Sequence, residues 1–104
     1  MDVRRAGSEL HVAPVGELDL GTVDPLDRQL DQVRSDGYER IVLDLSAVKF
    51  IDSTGIHRII TWCRYAGGAG IDISLVPGPP PVHRIFELTG LDKRLPFDTA
   101  SASS

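Results

Sequence analysis

Hydrophobic and polar positions along this chain change period several times, and each change marks an element. Residues 2–6 and 9–15 read as two short strands around the turn signal Gly7-Ser8, a hairpin. Pro14 has no N–H to give a ladder, so the second strand ends near it or turns an unpaired side there. Residues 16–22 read as a loop. Asp24-Pro25 opens a helix, with Asp24 as cap and proline in the first turn. Leu26, Leu30 and Val33 then repeat at helical spacing up to the stop at Gly37.

The run Ile41-Val42-Leu43 is apolar without alternation, so residues 40–45 predict a central strand. Such a strand is covered on both faces, or on one by helices and on the other by sheet curvature. A short connection leads to Asp52-Ser53, where the strongest helical pattern begins: Ile56, Ile59, Ile60, Cys63 and Ala66 form one stripe, ended by Gly67-Gly68. Residues 71–76 alternate as a strand, and 77–81 form a stiff proline turn. Pro81 takes the first position of a third helix carrying Val82, Ile85, Phe86 and Leu88, closed by Gly90. Residues 95–97 read as a short last strand, and 99–104 as a disordered polar tail. The order β-β-α-β-α-β-α-β predicts a single α/β domain over residues 1–98, with an N-terminal β-hairpin, a mostly parallel central sheet and right-handed crossovers.

Composition narrows the function. With 41% hydrophobic and 25% charged residues, the 104-residue chain falls in the range of an ordinary globular domain with one core. A formal charge of -4, with basic residues scattered in pairs such as Arg4-Arg5 and Lys93-Arg94, argues against direct nucleic-acid binding. The lone Cys63 sits at a core position of a helix, no leader pattern opens the sequence, and no apolar run approaches the ~20 residues of a membrane span. These features predict a reducing, cytoplasmic setting without membrane insertion. His11, His57 and His83 lie far apart and lack the spacing of metal ligands, so no metal is expected. The glycines of Gly67-Gly68-Ala69-Gly70 end a helix instead of opening one, so they cradle no phosphate, and no cofactor is expected. No histidine is placed by sequence to serve Ser53 as a base, which argues against an enzyme.

The chemistry concentrates at Asp52-Ser53-Thr54. A strand running out into these residues, followed at once by a helix, presents a hydroxyl at a helix N-terminus. Free backbone N–H groups and partial positive charge suit that position to a phosphate or a charged contact. A structural N-cap accounts for one such residue; three in a row exceed what a cap requires. On a helical wheel Arg58, Trp62 and Tyr65 flank the apolar stripe, and Trp, Tyr and Arg are enriched in interface hot spots. Trp62 is therefore either an interface anchor or packing at the edge of the core, and its exposure decides between the two.

Three ordered segments carry a family resemblance: Asp44-Leu45-Ser46 leading to Phe50-Ile51-Asp52-Ser53-Thr54-Gly55-Ile56, then Gly16-Glu17-Leu18-Asp19, and residues 81–92 with their lead into 95–97. Over roughly residues 8–98 the chain resembles STAS-domain anti-sigma-factor antagonists, or anti-anti-sigma factors. The resemblance implies that Ser53 is the site phosphorylated by a partner anti-sigma factor, a serine kinase of the histidine-kinase-like type. It implies further that Asp19 and Asp52 are acidic neighbours of that site, and that Thr54 and Gly55 begin the recognition helix. Asp19, Asp52, Ser53, Thr54, Gly55, Arg58 and Trp62 are then the expected partner-binding residues. A serine phosphatase that resets the switch is left open. Two features depart from the family: the Ser-rich residues 99–104 are too few to supply the further C-terminal helix it often carries, and Leu20-Gly21-Thr22 differs from a polar, often His-containing loop. The alternatives are a STAS-type accessory subunit of a membrane transporter and a small nucleotide- or ligand-sensing domain.

Overall fold

The computed structural model describes residues 1–98; the expected tail at 99–104 lies outside the described residues. The elements are β1 (Asp2–Ala6), β2 (Glu9–Ala13), β3 (Gly16–Leu18), α1 (Asp24–Asp36), β4 (Arg40–Asp44), β5 (Val48–Ile51), α2 (Ser53–Ala69), β6 (Asp72–Val76) and α3 (Pro80–Leu88), followed by a 3-10 turn at Leu91–Lys93. The main sheet has the order β1-β2-β4-β6; only the β1-β2 hairpin is antiparallel. This is the α/β architecture with a mostly parallel sheet that the pattern predicts.

Register explains which face is buried. Leu10 pairs with Ile41 and Val12 with Leu43 across β2 and β4, and Leu43 pairs with Leu75 on β6. These side chains share one face and join Leu26, Leu30, Val33, Ile59, Trp62, Val82 and Phe86 from the three helices in one core. The opposite face carries pairs such as His11–Asp44 at 3.5 Å and Arg40–Asp72 at 3.8 Å, with Val42 only half-buried among them. The continuous run at 41–43 therefore reflects one helix-covered face and one polar, partly solvated face, not a strand closed in on both sides.

Several expectations are corrected. The segment 16–22 is not all loop: Gly16–Leu18 forms β3, which pairs in parallel with β5 in a small second sheet. The pairing gives the Leu18 and Val48 backbones partners that a three-residue strand cannot announce by alternation. Val23, and not Asp24, occupies the cap of α1, with no side-chain cap bond; Asp24 is the first helical residue. Helix α2 passes through Gly67-Gly68 and ends at Ala69, because Gly70 is the glycine in the left-handed conformation (φ 71°) that closes it. The predicted last strand is reduced to a single bridge between Leu75 and Phe97, so the order becomes β-β-β-α-β-β-α-β-α. Among the described residues no helix is long and apolar enough to cross a membrane.

Candidate functional site at the start of helix α2

Helix α2 begins where β5 runs out against β3. Asp52, with an extended backbone, caps the helix: its Oδ1 accepts the Gly55 N–H at 3.1 Å, and its carbonyl accepts the Ile56 N–H at 3.0 Å. The Asp52 N–H donates in turn to the Leu18 carbonyl at 3.3 Å, which ties the helix start to the end of β3. Ser53 is the first residue of the helix and is exposed; Thr54 is half-buried beside it. The N–H groups of these first positions have no carbonyl one turn earlier, so their positive ends are available at the surface.

Gly55 is buried and positioned by its lack of a side chain. A β-carbon there would collide with the Leu18 carbonyl oxygen and stand 2.8 Å from Ile51 Cγ1. Glycine thus lets the first turn of α2 press onto the end of β3, holding the 18–22 loop against the helix tip. Asp19 organises that loop. Its Oδ1 accepts from the Gly21 N–H at 3.0 Å and from the Thr22 hydroxyl at 3.2 Å, while its own N–H donates to Thr22 Oγ1 at 2.9 Å. The Thr22 hydroxyl also reaches the Glu17 carbonyl at 2.8 Å. One oxygen of the Asp19 carboxylate is therefore occupied by its own turn.

Folding gathers Leu20, Ser53, Thr54, His57 and Arg58 around a shallow depression of about 340 Å³. Leu20 is 74% exposed there. Leu20 and His57 went unrecognised as site residues in the sequence; the available signal was an isolated leucine between Asp19 and Gly21, where a turn has no packing use for it. Arg58 joins the site while held from behind: its Nε donates to both Asp27 oxygens, at 2.8 and 3.1 Å.

Trp62 is not part of this surface. It is 0% exposed and lies in the core, because α1 covers the flank of α2 on which it stands. The Arg58–Asp27 pair and Arg34 stacked 5.3 Å from the Tyr65 ring centre both mark α1 over that flank. The inward stripe of α2 is centred on Gly55, Ile59, Trp62 and Ala66, whereas Ile56, Ile60 and Cys63 are half-buried. Burial pushes the Cys63 thiol up to about 11, which keeps it protonated and unreactive near neutrality.

The family model described as STAS domain matches residues 1–103. The anti-sigma F factor antagonist of Paenibacillus polymyxa is 34% identical over 83 residues, 79% of this chain and 71% of that protein. The anti-sigma-B factor antagonist of Staphylococcus aureus is 32% identical over 76 residues, covering 73% of this chain and 70% of that protein. A crystal structure of an anti-sigma factor antagonist from Mycobacterium paratuberculosis superposes with a TM-score of 0.79 at 30% identity, covering 91% of this chain and 80% of that one. Similarity of this extent in sequence and fold identifies the chain as a member of the STAS-domain family of anti-sigma-factor antagonists.

Proposed function

We propose that this domain is a non-catalytic, cytoplasmic phosphoswitch. Unphosphorylated, it binds an anti-sigma factor and frees a sigma factor for transcription; phosphorylated at Ser53 by that same partner, a serine kinase, it lets go. The observation that carries the reading is the exposed Ser53 at the first position of α2, beside a depression that a partner can enter. The names of the relatives supply the partner class.

A phosphate at Ser53 adds about -1.5 to -2 charges. At a helix N-terminus that charge is tolerated or favoured by ~0.3–1 kcal/mol, so the fold survives the modification. In a docked interface the same group must lose its water next to the half-buried Asp52, which costs several kcal/mol unless a cation meets it. A few kcal/mol is a hundredfold or more in affinity. Asp52, Ser53, Thr54, Arg58 and Leu20 form the contact surface in this reading; Gly55 and Asp19 shape it from behind, and Trp62 holds the helix.

Incubation with the cognate kinase and ATP should add one phosphate by mass. Ser53→Ala should abolish that mass shift while retaining the circular dichroism spectrum, and Ser53→Asp should fold but fail to bind. Labelling at another residue with Ser53 untouched would remove the assignment.

A further inference from the structure

The helix-covered face of the main sheet is sealed over β2 and β4 but open over the start of β6. Leu10, Ile41 and Ile73 are neighbours in one row across these strands. Leu10 and Ile41 are 1% and 0% exposed, yet Ile73 is only half-buried. The gap is a groove of about 560 Å³ between the C-terminal half of α2, the start of β6 and residues 91–96. Ile60, Cys63, Ile73 and Leu95 supply its apolar lining. Gly67 adds no side chain, and a β-carbon there would meet nothing within 4 Å, so the groove stays open along that turn.

Arg64 and Arg94 stand at the rim, both exposed. Among the described residues no carboxylate pairs with either; the same holds for Arg5, Arg28 and Arg84, so it is their place beside the apolar trough that sets Arg64 and Arg94 apart. Asp72, the one acid at the rim, is 3.8 Å from Arg40. An apolar trough beside unengaged guanidinium groups is complementary to one ligand chemistry: a hydrocarbon chain ending in an anion that a planar fork can grip. The volume falls within the ~300–1,000 Å³ typical of small-molecule clefts. The stretch of α2 from Ile60 to Gly67 is only about 10 Å long at ~1.5 Å per residue, short for a docked protein helix but ample for an aliphatic chain.

We propose that this groove binds a medium- to long-chain aliphatic carboxylate, with the chain along Ile60, Cys63, Ile73 and Leu95 and the carboxylate at Arg64 and Arg94. Ser53 stands at the other end of α2, about 10 Å by helix rise from Ile60 and about 16 Å from Arg64, and lines a different depression, so this site and the phosphoswitch succeed or fail separately.

Cys63 is the single cysteine and lines the groove, so its alkylation by iodoacetamide at alkaline pH reports occupancy. Dodecanoate below its micelle-forming concentration should slow the reaction, and dodecan-1-ol should protect about tenfold more weakly, since charged hydrogen bonds are worth ~1.5–3 kcal/mol. Arg64→Gln combined with Arg94→Gln should erase the difference between acid and alcohol. Gly67→Leu, which fills the groove from an open helix position, should weaken both. Absence of protection, equal protection by acid and alcohol, or a difference that survives the double arginine change overturns the proposal. So does faster alkylation with loss of the circular dichroism signal, which would mark dodecanoate as a denaturant.

Discussion

Gly55 lies so close to the carbonyl of Leu18 that no β-carbon fits between them. This contact sets the distance between the end of β3 and the tip of α2, and hence the place of Leu20 relative to Ser53. Alanine is a better helix former than glycine by up to ~1 kcal/mol, but overpacking against a backbone oxygen costs ~1–3 kcal/mol and wins here. Gly55→Ala should therefore lower stability in urea denaturation, while Gly67→Ala, in open space on the same helix, should raise it by ~0.5–1 kcal/mol. Stabilisation by both changes would show that the Leu18 contact is not limiting.

The Arg58–Asp27 pair joins α2 to α1 with both side chains about one-third exposed, 35% and 37%. Solvent screening limits such a pair to ~0.2–1 kcal/mol. A double-mutant cycle with Arg58→Ala and Asp27→Ala should give a coupling in that range that shrinks as salt is added. A coupling of zero at low salt would mean that this ion pair does not help to hold α1 against α2.

Trp62 is the only tryptophan, so fluorescence reads its surroundings directly. Its emission should be blue-shifted and resist quenching by iodide, since the ring is fully buried. Trp62→Ala should cost ~3–5 kcal/mol, a large part of the ~5–15 kcal/mol that holds a domain of this kind together. Among the described residues the indole N–H has no hydrogen-bond partner, so Trp62→Phe should cost much less than alanine. Ready quenching by iodide would return Trp62 to the surface.

Cys63 makes stability depend on alkaline pH. Burial raises its thiol from 9.0 to about 11, so the folded state holds the proton more tightly than the unfolded chain does. The stabilisation is complete below pH 9.0 and is lost as pH rises towards about 11. Denaturation midpoints should fall over that interval in the natural chain and fall less in Cys63→Ala. Equal slopes would assign the alkaline loss to other groups.

Much of this was legible in the residues. Helix α1 follows from Leu26, Leu30, Val33 and the left-handed Gly37, and α2 from its cap at Asp52, because caps and 3.6-residue periodicity act within a few positions of chain. The hydroxyl-rich helix tip was readable because its motif is contiguous, and the family because three such segments stand in order along the chain. Partners distant in sequence were not legible. The β3-β5 pairing, the merging of Leu20 with Ser53 into one depression, and the covering of Trp62 by α1 depend on which surfaces meet, not on local preference. Local sequence thus settled the three helices, the strands of the main sheet and the place of Ser53 at a helix start, but not β3 and β5. Packing alone decided which flank of α2 is buried and which is left open, because a helix face has no fixed environment until a neighbour covers it.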